Sequence, residues 1–182
     1  EGMALPQRIL FPPEKICMDW QQRQRAGAGL YNLSNTCYLN SVLQCLTYTP
    51  PLANYLLSRE HTGSCRQQGF CMMCIMEAHV NDVLHTSASA IQPRAVINAL
   101  PRIGEHFKLG MQEDAHKFLR CTVNAMQTAC LSGSNDWDIS SQSTTIIHQI
   151  FGGFLRSRVT CLSCKAISDS YEAFLDVPLD IK

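Results

Sequence analysis

The sequence predicts an α+β fold that is helical over most of its length and turns to β-strands near its end. Three observations carry this. Apolar residues recur every three or four positions in the segments 37–47, 71–85 and 112–130. Proline and glycine pairs punctuate the chain at Pro50-Pro51 and Gly152-Gly153, and beyond Gly153 the pattern becomes strand-like. With 46% hydrophobic and 16% charged residues, the 182-residue chain has the apolar content for a core of its own.

Residues 1–26 mix Pro6, Pro12 and Pro13 with a polar run and show no period, so they read as an N-terminal extension that packs locally or stays mobile. Residues 27–153 form the helical part. Its first helix runs from Cys37 to Thr47 with Tyr38, Leu39, Val42, Leu43 and Leu46 on one face, and Pro50-Pro51 ends it. A short helix over 52–58 leads into a polar, glycine-containing loop at 62–69. The helix 71–85 carries Met72, Ile75, Met76, His79, Val80 and Leu84 as a core stripe, its methionines filling space rather than acting.

Ser87, Ser89 and Pro93 mark a loop, after which a short helix over 95–100 stops near Pro101. Gly110 precedes a helix over 112–130, where Ala115, Phe118, Leu119, Val123 and Met126 line one face. A polar surface loop covers 133–143, and a helix over 144–151 is broken by Gly152-Gly153. Residues 154–182 hold strands through Phe154, Leu155 and Val159, then Ala173, Phe174, Leu175, Val177, Leu179 and Ile181. Their sheet partners are expected downstream, which leaves an exposed edge.

The chemistry concentrates at Cys37. Asn35 and Thr36 favour a helix start immediately before it, and the positive end of a helix favours the thiolate, the nucleophilic form. Asn32, five residues upstream, has an amide N–H that can stabilise the oxyanion of acyl transfer. From these residues alone the alternative stays open that Cys37 is a buried structural cysteine and Asn32 a turn residue beside Gly27 and Gly29.

The segment Gly29-Leu30-Tyr31-Asn32-Leu33-Ser34-Asn35-Thr36-Cys37-Tyr38-Leu39-Asn40-Ser41 resembles the cysteine box of the ubiquitin-specific proteases, and Gln112-Glu113-Asp114-Ala115-His116-Lys117-Phe118-Leu119 resembles a second box of that family. The similarity continues through 46–57 and 147–153 and is greatest to the branch of ubiquitin carboxyl-terminal hydrolases 36 and 42. It implies a papain-like cysteine protease fold: a helical thumb over 27–153 followed by the first strands of fingers and palm, incomplete here. It also implies hydrolysis of ubiquitin isopeptide bonds through a thioester on Cys37, with ubiquitin and ubiquitinated proteins as partners. Two positions depart from the pattern. Ser34 stands where the box has glycine, a change accommodated only if the backbone there does not need a strongly left-handed conformation, and Lys117 stands where the second box has glutamate.

A papain-like enzyme also needs a histidine base and an Asp or Asn to orient it. The family carries both far downstream. The histidines here are His61, His79, His85, His106, His116 and His148, and none sits in the family's Gly-His-Tyr setting. The expectation is therefore a nucleophile without its activator and little turnover by these residues alone.

A net charge of +0 gives no electrostatic basis for nucleic-acid binding, and the apolar runs are too short to span a membrane. No secretory signal opens the chain. Ten cysteines suit thiol and metal chemistry in a reducing compartment better than disulfides. The expected location is intracellular, the nucleus by analogy with the related branch, or the cytoplasm. His61, Cys65, Cys71 and Cys74 lie within fourteen positions and offer a tetrahedral zinc set, the alternative being a loop of reduced thiols. Similar groupings occur at this place in several ubiquitin-specific proteases. Cys161 and Cys164 form a second knuckle, half a zinc site, which the family completes further along its fingers.

Gln112, Glu113 and Asp114 open a helix, where acidic residues serve as caps. The resemblance gives them a second reading: contacts with the basic, extended C-terminal tail of ubiquitin. Two further readings of the whole chain stay in view, a non-catalytic module that binds ubiquitin or a partner, and a purely structural zinc-stabilised helical domain.

Overall fold

Helix α1 (Cys37–Thr47) forms as its spacing predicts, with Tyr38, Leu39, Val42, Leu43 and Leu46 buried along one face. The computed structural model describes residues 3–22, 25–132 and 136–176. Among them follow α2 (Pro50–Leu57), α3 (Glu60–Ser64), α4 (Met72–His85), α5 (Arg94–Ile103), α6 (Ala115–Cys130), α7 (Ile139–Gln142) and α8 (Ile146–Phe151). Helix α4 is the central element, packed against α2, α5 and α6, and its Met72, Met73, Met76, Val80 and Val83 are fully buried. Burial of a side chain of that size contributes about 1.5–3 kcal/mol, so this one helix supplies much of the core's cohesion.

Several boundaries differ from the sequence expectation, each for a local reason. Pro50 and Pro51 start α2 rather than merely ending α1, because the first helical positions need no N–H donor. Residues 62–64 of the expected 62–69 loop belong instead to α3, which follows Arg59, where the chain turns with a φ of 57°. Helix α5 runs through Pro101 to Ile103, since a proline in the last turn removes one hydrogen bond while Gly104 N–H still donates to Leu100 O at 3.2 Å. Within the expected 133–143 loop, residues 133–135 lie outside the described residues, and 139–142 form α7 under an Asp138 cap.

The N-terminal extension packs against distant chain rather than locally. Leu10 N–H donates to Thr144 Oγ1 at 2.9 Å, Phe11 N–H donates to Thr144 O at 3.1 Å, and Gln149 Nε2 donates to Phe11 O at 2.9 Å. Phe11 is buried edge-on against Tyr55, 5.3 Å between ring centroids.

Two small sheets complete the described fold. Strands β1 (Gly29–Leu30) and β2 (Ala90–Ile91) pair in parallel, Gly29 opposite Ala90, and fix the chain leading into the cysteine box. Gly27 sits so close to Val83 and Tyr48 that a Cβ would lie 2.7 Å from Tyr48 Oη and 2.9 Å from Val83 O, so no larger residue fits there without movement. Strands β3 (Gly153–Thr160) and β4 (Ile167–Phe174) form an antiparallel hairpin. Its second strand begins six residues before Ala173, because Ser168, Asp169, Ser170 and Glu172 conceal it in a ribbon exposed on both faces. Val177, Leu179 and Ile181 lie outside the described residues. No helix among the described residues is long and apolar enough to cross a membrane.

Candidate functional site

Three aromatic rings bring the two boxes together. Tyr38 stacks on Phe107 at 6.0 Å and meets Phe118 edge-on at 5.6 Å, while Phe107 and Phe118 meet at 5.4 Å. Tyr38 follows Cys37 and Phe118 lies in the first turn of α6, so this cluster seats the start of α1 beside the start of α6. Cys37 is exposed, and its Sγ lies 3.5 Å from Nε2 and 3.6 Å from Oε1 of Gln112. Another bridge joins the same loops: Asn35 Nδ2 donates to Gly110 O at 2.9 Å.

Upstream of the thiol the box is an ordered polar turn. Asn32 Oδ1 accepts from Thr36 N–H at 3.1 Å and from Thr36 Oγ1 at 3.3 Å. Thr36 Oγ1 accepts Leu33 N–H at 2.9 Å, and Asn40 Nδ2 donates to Tyr31 O at 3.0 Å. Thr36 occupies the N-cap position without capping the helix by its side chain, its hydroxyl being held by Leu33 and Asn32. The thiol thus sits at an uncapped helix start, with the donor end of the Asn32 carboxamide free of hydrogen-bond partners among the described residues. The exposed sulfur can attack a carbonyl carbon, and the free Asn32 amide is an N–H donor of the kind that stabilises the resulting oxygen anion.

Ser34 and Asn35 both adopt left-handed backbone, with φ of 65° and 57°. Asparagine tolerates that region; serine is strained in it, so the departure from glycine at 34 has a structural consequence. Lys117 finds a partner, its Nζ 3.7 Å from Glu113 Oε2. Gln112, Glu113 and Asp114 do not begin the helix as the sequence suggested. They precede α6, and Asp114 is its cap, with Oδ2 accepting Lys117 N–H at 2.7 Å.

His61, Cys65, Cys71 and Cys74 converge, their ligand atoms all within 4.8 Å of one another. His61 Nε2 lies 3.2 Å from Cys71 Sγ, and Cys65 Sγ lies 3.9 Å from Cys71 Sγ. Burial pushes the Cys71 thiol up and the Cys74 thiol up to about 12, and it lowers His61. Burial thus disfavours the charged forms of Cys71, Cys74 and His61; a divalent cation at the centre of the four ligands supplies the missing charge, so the donor set fits a metal ion.

Cys161 and Cys164 stand exposed in the turn of the β3–β4 hairpin. Cys161 is held below the usual thiol range by N–H donation from Cys164, then by the Cys164 thiol and the Ser163 N–H. Two ligands alone make half a site. Of the histidines inside the boxes, His116 pairs with Asp176 at 3.1 Å and His148 is buried against Phe154. No histidine among the described residues hydrogen-bonds Cys37. Sequence reasoning missed the Gln112–Cys37 contact, whose partners are 75 positions apart, and the Thr36–Asn40 support, which has the letters of ordinary helix-start chemistry.

A family model described as "Ubiquitin carboxyl-terminal hydrolase" matches residues 28–175. Human Ubiquitin carboxyl-terminal hydrolase 42 is 58% identical over all 182 residues, which span 14% of its length. Human Ubiquitin carboxyl-terminal hydrolase 17-like protein 6 is 48% identical over the same residues, 44% of its length. The solved SAGA Ubp8/Sgf11/Sus1/Sgf73 DUB module bound to ubiquitin aldehyde is similar at a TM-score of 0.73 and 26% identity, over 89% of this chain and 37% of that one. The Ubp8-Sgf11-Sgf73-Sus1 SAGA DUB module is similar at a TM-score of 0.67 and 27% identity, over 85% of this chain and 36% of that one. The chain therefore spans less than half the length of these relatives, and the fold is that of a papain-like protease fragment. On the match of family and fold over most of its residues, this chain belongs to the ubiquitin carboxyl-terminal hydrolase family.

Proposed function

We propose that these residues are the nucleophile-bearing part of a thiol-dependent deubiquitinase catalytic domain. The observation that carries the reading is the exposed Cys37 thiol at the start of α1 with the free Asn32 Nδ2 amide directed away from its Thr36 anchor. In this chemistry the Cys37 thiolate attacks the carbonyl carbon at the ubiquitin C-terminus and a C–S bond forms. Asn32 donates to the oxygen that takes up the electron pair. Collapse breaks the C–N bond, the amine leaves with a proton, and water hydrolyses the thioester.

The proton transfers need a base, and no histidine among the described residues is hydrogen-bonded to Cys37. We therefore expect covalent capture of ubiquitin without efficient turnover. Gln112, Glu113 and Asp114, on the loop facing Cys37, supply amide and acidic groups for the basic ubiquitin tail. Zinc, held by His61, Cys65, Cys71 and Cys74, ties α3 to the start of α4 as a structural ion, and Cys161 with Cys164 is half of a further zinc site. The expected location is the nucleus or cytoplasm, where free thiols persist.

The test is reaction of the purified chain with ubiquitin bearing an electrophilic C-terminus, beside Cys37→Ala. An adduct that only the unsubstituted chain forms supports the reading; no adduct, or the same adduct in both, removes it. The missing histidine contact favours one second reading, a non-catalytic ubiquitin-binding module, whose signature is ubiquitin binding without an adduct.

A further inference from the structure

We propose that Gln112 is a positioning residue for Cys37, its side-chain amide partnering the sulfur in either protonation state before substrate arrives. It rests on the reading of Cys37 as the nucleophile. Oε1 and Nε2 lie at nearly equal distances from Sγ, 3.6 and 3.5 Å. The protonated thiol can donate to Oε1 and the thiolate can accept from Nε2–H; a hydrogen bond to a charged atom is the stronger of the two, so the amide favours the thiolate. The carboxamide has no other hydrogen-bond partner among the described residues.

The chain on either side of Gln112 is clamped. Two residues before it, Gly110 O accepts from Asn35 Nδ2 at 2.9 Å, with Gly110 at a φ of 85° that glycine adopts without strain. Two residues after it, Asp114 caps α6 through Lys117 N–H at 2.7 Å. The Tyr38–Phe118 contact fixes the spacing of the two helix starts. An exposed glutamine on a free loop would sample many rotamers; this one hangs from a segment anchored to the same box that carries the thiol. Arrival of a substrate tail releases the amide from sulfur, which also frees it to bond the tail.

Alkylation by iodoacetamide tests this without ubiquitin. The rate is followed across about pH 6–10, where thiols titrate, and resolved by residue with mass spectrometry. Cys45, exposed on the same helix, is the internal reference. Gln112→Met keeps the length of the side chain and removes both hydrogen bonds; Gln112→Glu keeps an acceptor and removes the donor. Both variants are expected to move the Cys37 profile to higher pH, Gln112→Glu further, with the rate at neutral pH down by about threefold or more and Cys45 unchanged. Profiles that superimpose on the unsubstituted chain, or a change equal at every pH, overturn the proposal. Superimposed profiles with intact ubiquitin capture remove Gln112's role and leave the nucleophile; shifted profiles without capture do the reverse.

Discussion

Asn32 Oδ1 accepts the backbone N–H of Thr36 at 3.1 Å, and this bond decides which way the carboxamide faces. A backbone N–H can only donate, so the acceptor end lies toward Thr36 and the Nδ2 donor end is turned away. Thr36 is 1% exposed, and its hydroxyl also takes the Leu33 N–H at 2.9 Å. One buried threonine thus sets both the turn and the orientation of the Asn32 amide.

Thr36→Val keeps the shape and removes the hydroxyl. Leu33 N–H loses its acceptor and Asn32 keeps one anchor, so urea unfolding should show a loss of roughly 1–2 kcal/mol. Capture of electrophilic ubiquitin should slow in the same protein. Asn32→Ala removes the donor itself and should slow capture by about 100-fold. Unchanged capture in both variants would exclude the carboxamide from the reaction.

Ser34 at a φ of 65° predicts the opposite sign. A left-handed serine is strained by about 1–2 kcal/mol, part of which glycine returns through its freer unfolded chain. Ser34→Gly should therefore stabilise by about 0.5–1 kcal/mol in denaturant titration, and Ser34→Val should destabilise. Loss of stability in Ser34→Gly would mean that the serine side chain makes a compensating bond.

The long helices were legible because burial wrote itself into spacing: α1, α4 and α6 each carry an apolar face of several turns. The metal cluster was legible for a related reason, its four ligands lying within fourteen positions. The short elements were not. Helices α3 and α7 have one or two turns, too few for a period, and the β1–β2 pairing is two residues long. The hairpin carries Ser168, Asp169 and Ser170 on a ribbon exposed on both faces, so no core imposed alternation on it. What remained hidden at the site was long-range: the three-ring cluster that brings Gln112 to Cys37 joins residues whose types only say that they are buried.

Asp114 has two candidate roles that one pair of variants separates. Its carboxylate caps α6, so Asp114→Ala should cost about 1 kcal/mol of stability. Asp114→Asn keeps a capping oxygen and drops the charge. If the charge also meets the basic ubiquitin tail, Asp114→Asn should retain its unfolding midpoint while losing ubiquitin affinity in a binding titration. Equal affinity for Asp114→Asn and the unsubstituted chain would leave only the cap.

The metal reading predicts stoichiometry as well as stability. One zinc per chain should copurify, held by the His61 set, with none retained by the exposed Cys161–Cys164 pair alone. Chelation, or Cys71→Ser, should lower Tm; even a loss of about 3 kcal/mol corresponds to roughly 6–12 °C for a chain of this size. Elemental analysis that finds no metal, with a Tm unmoved by chelator, would leave the cluster as packed thiols.

Acid sensitivity should trace in part to His79. Its side chain is 2% exposed on α4, Nε2 has no hydrogen-bond partner among the described residues, and burial lowers its pKa from the ordinary 6.5 to about 4. The folded state therefore resists a proton that the unfolded chain accepts. The stabilising contribution is complete above pH 6.5 and is lost as pH falls toward 4, by roughly 3 kcal/mol over that window. His61 and His148 are lowered by burial too, and carboxylates titrate below them, so the slope of the unsubstituted chain alone does not assign the effect. His79→Leu removes only the one proton site. Unfolding free energies at pH 7 and pH 4 should fall less steeply for His79→Leu, and equal slopes for the two proteins would show that His79 takes up its proton inside the fold without penalty.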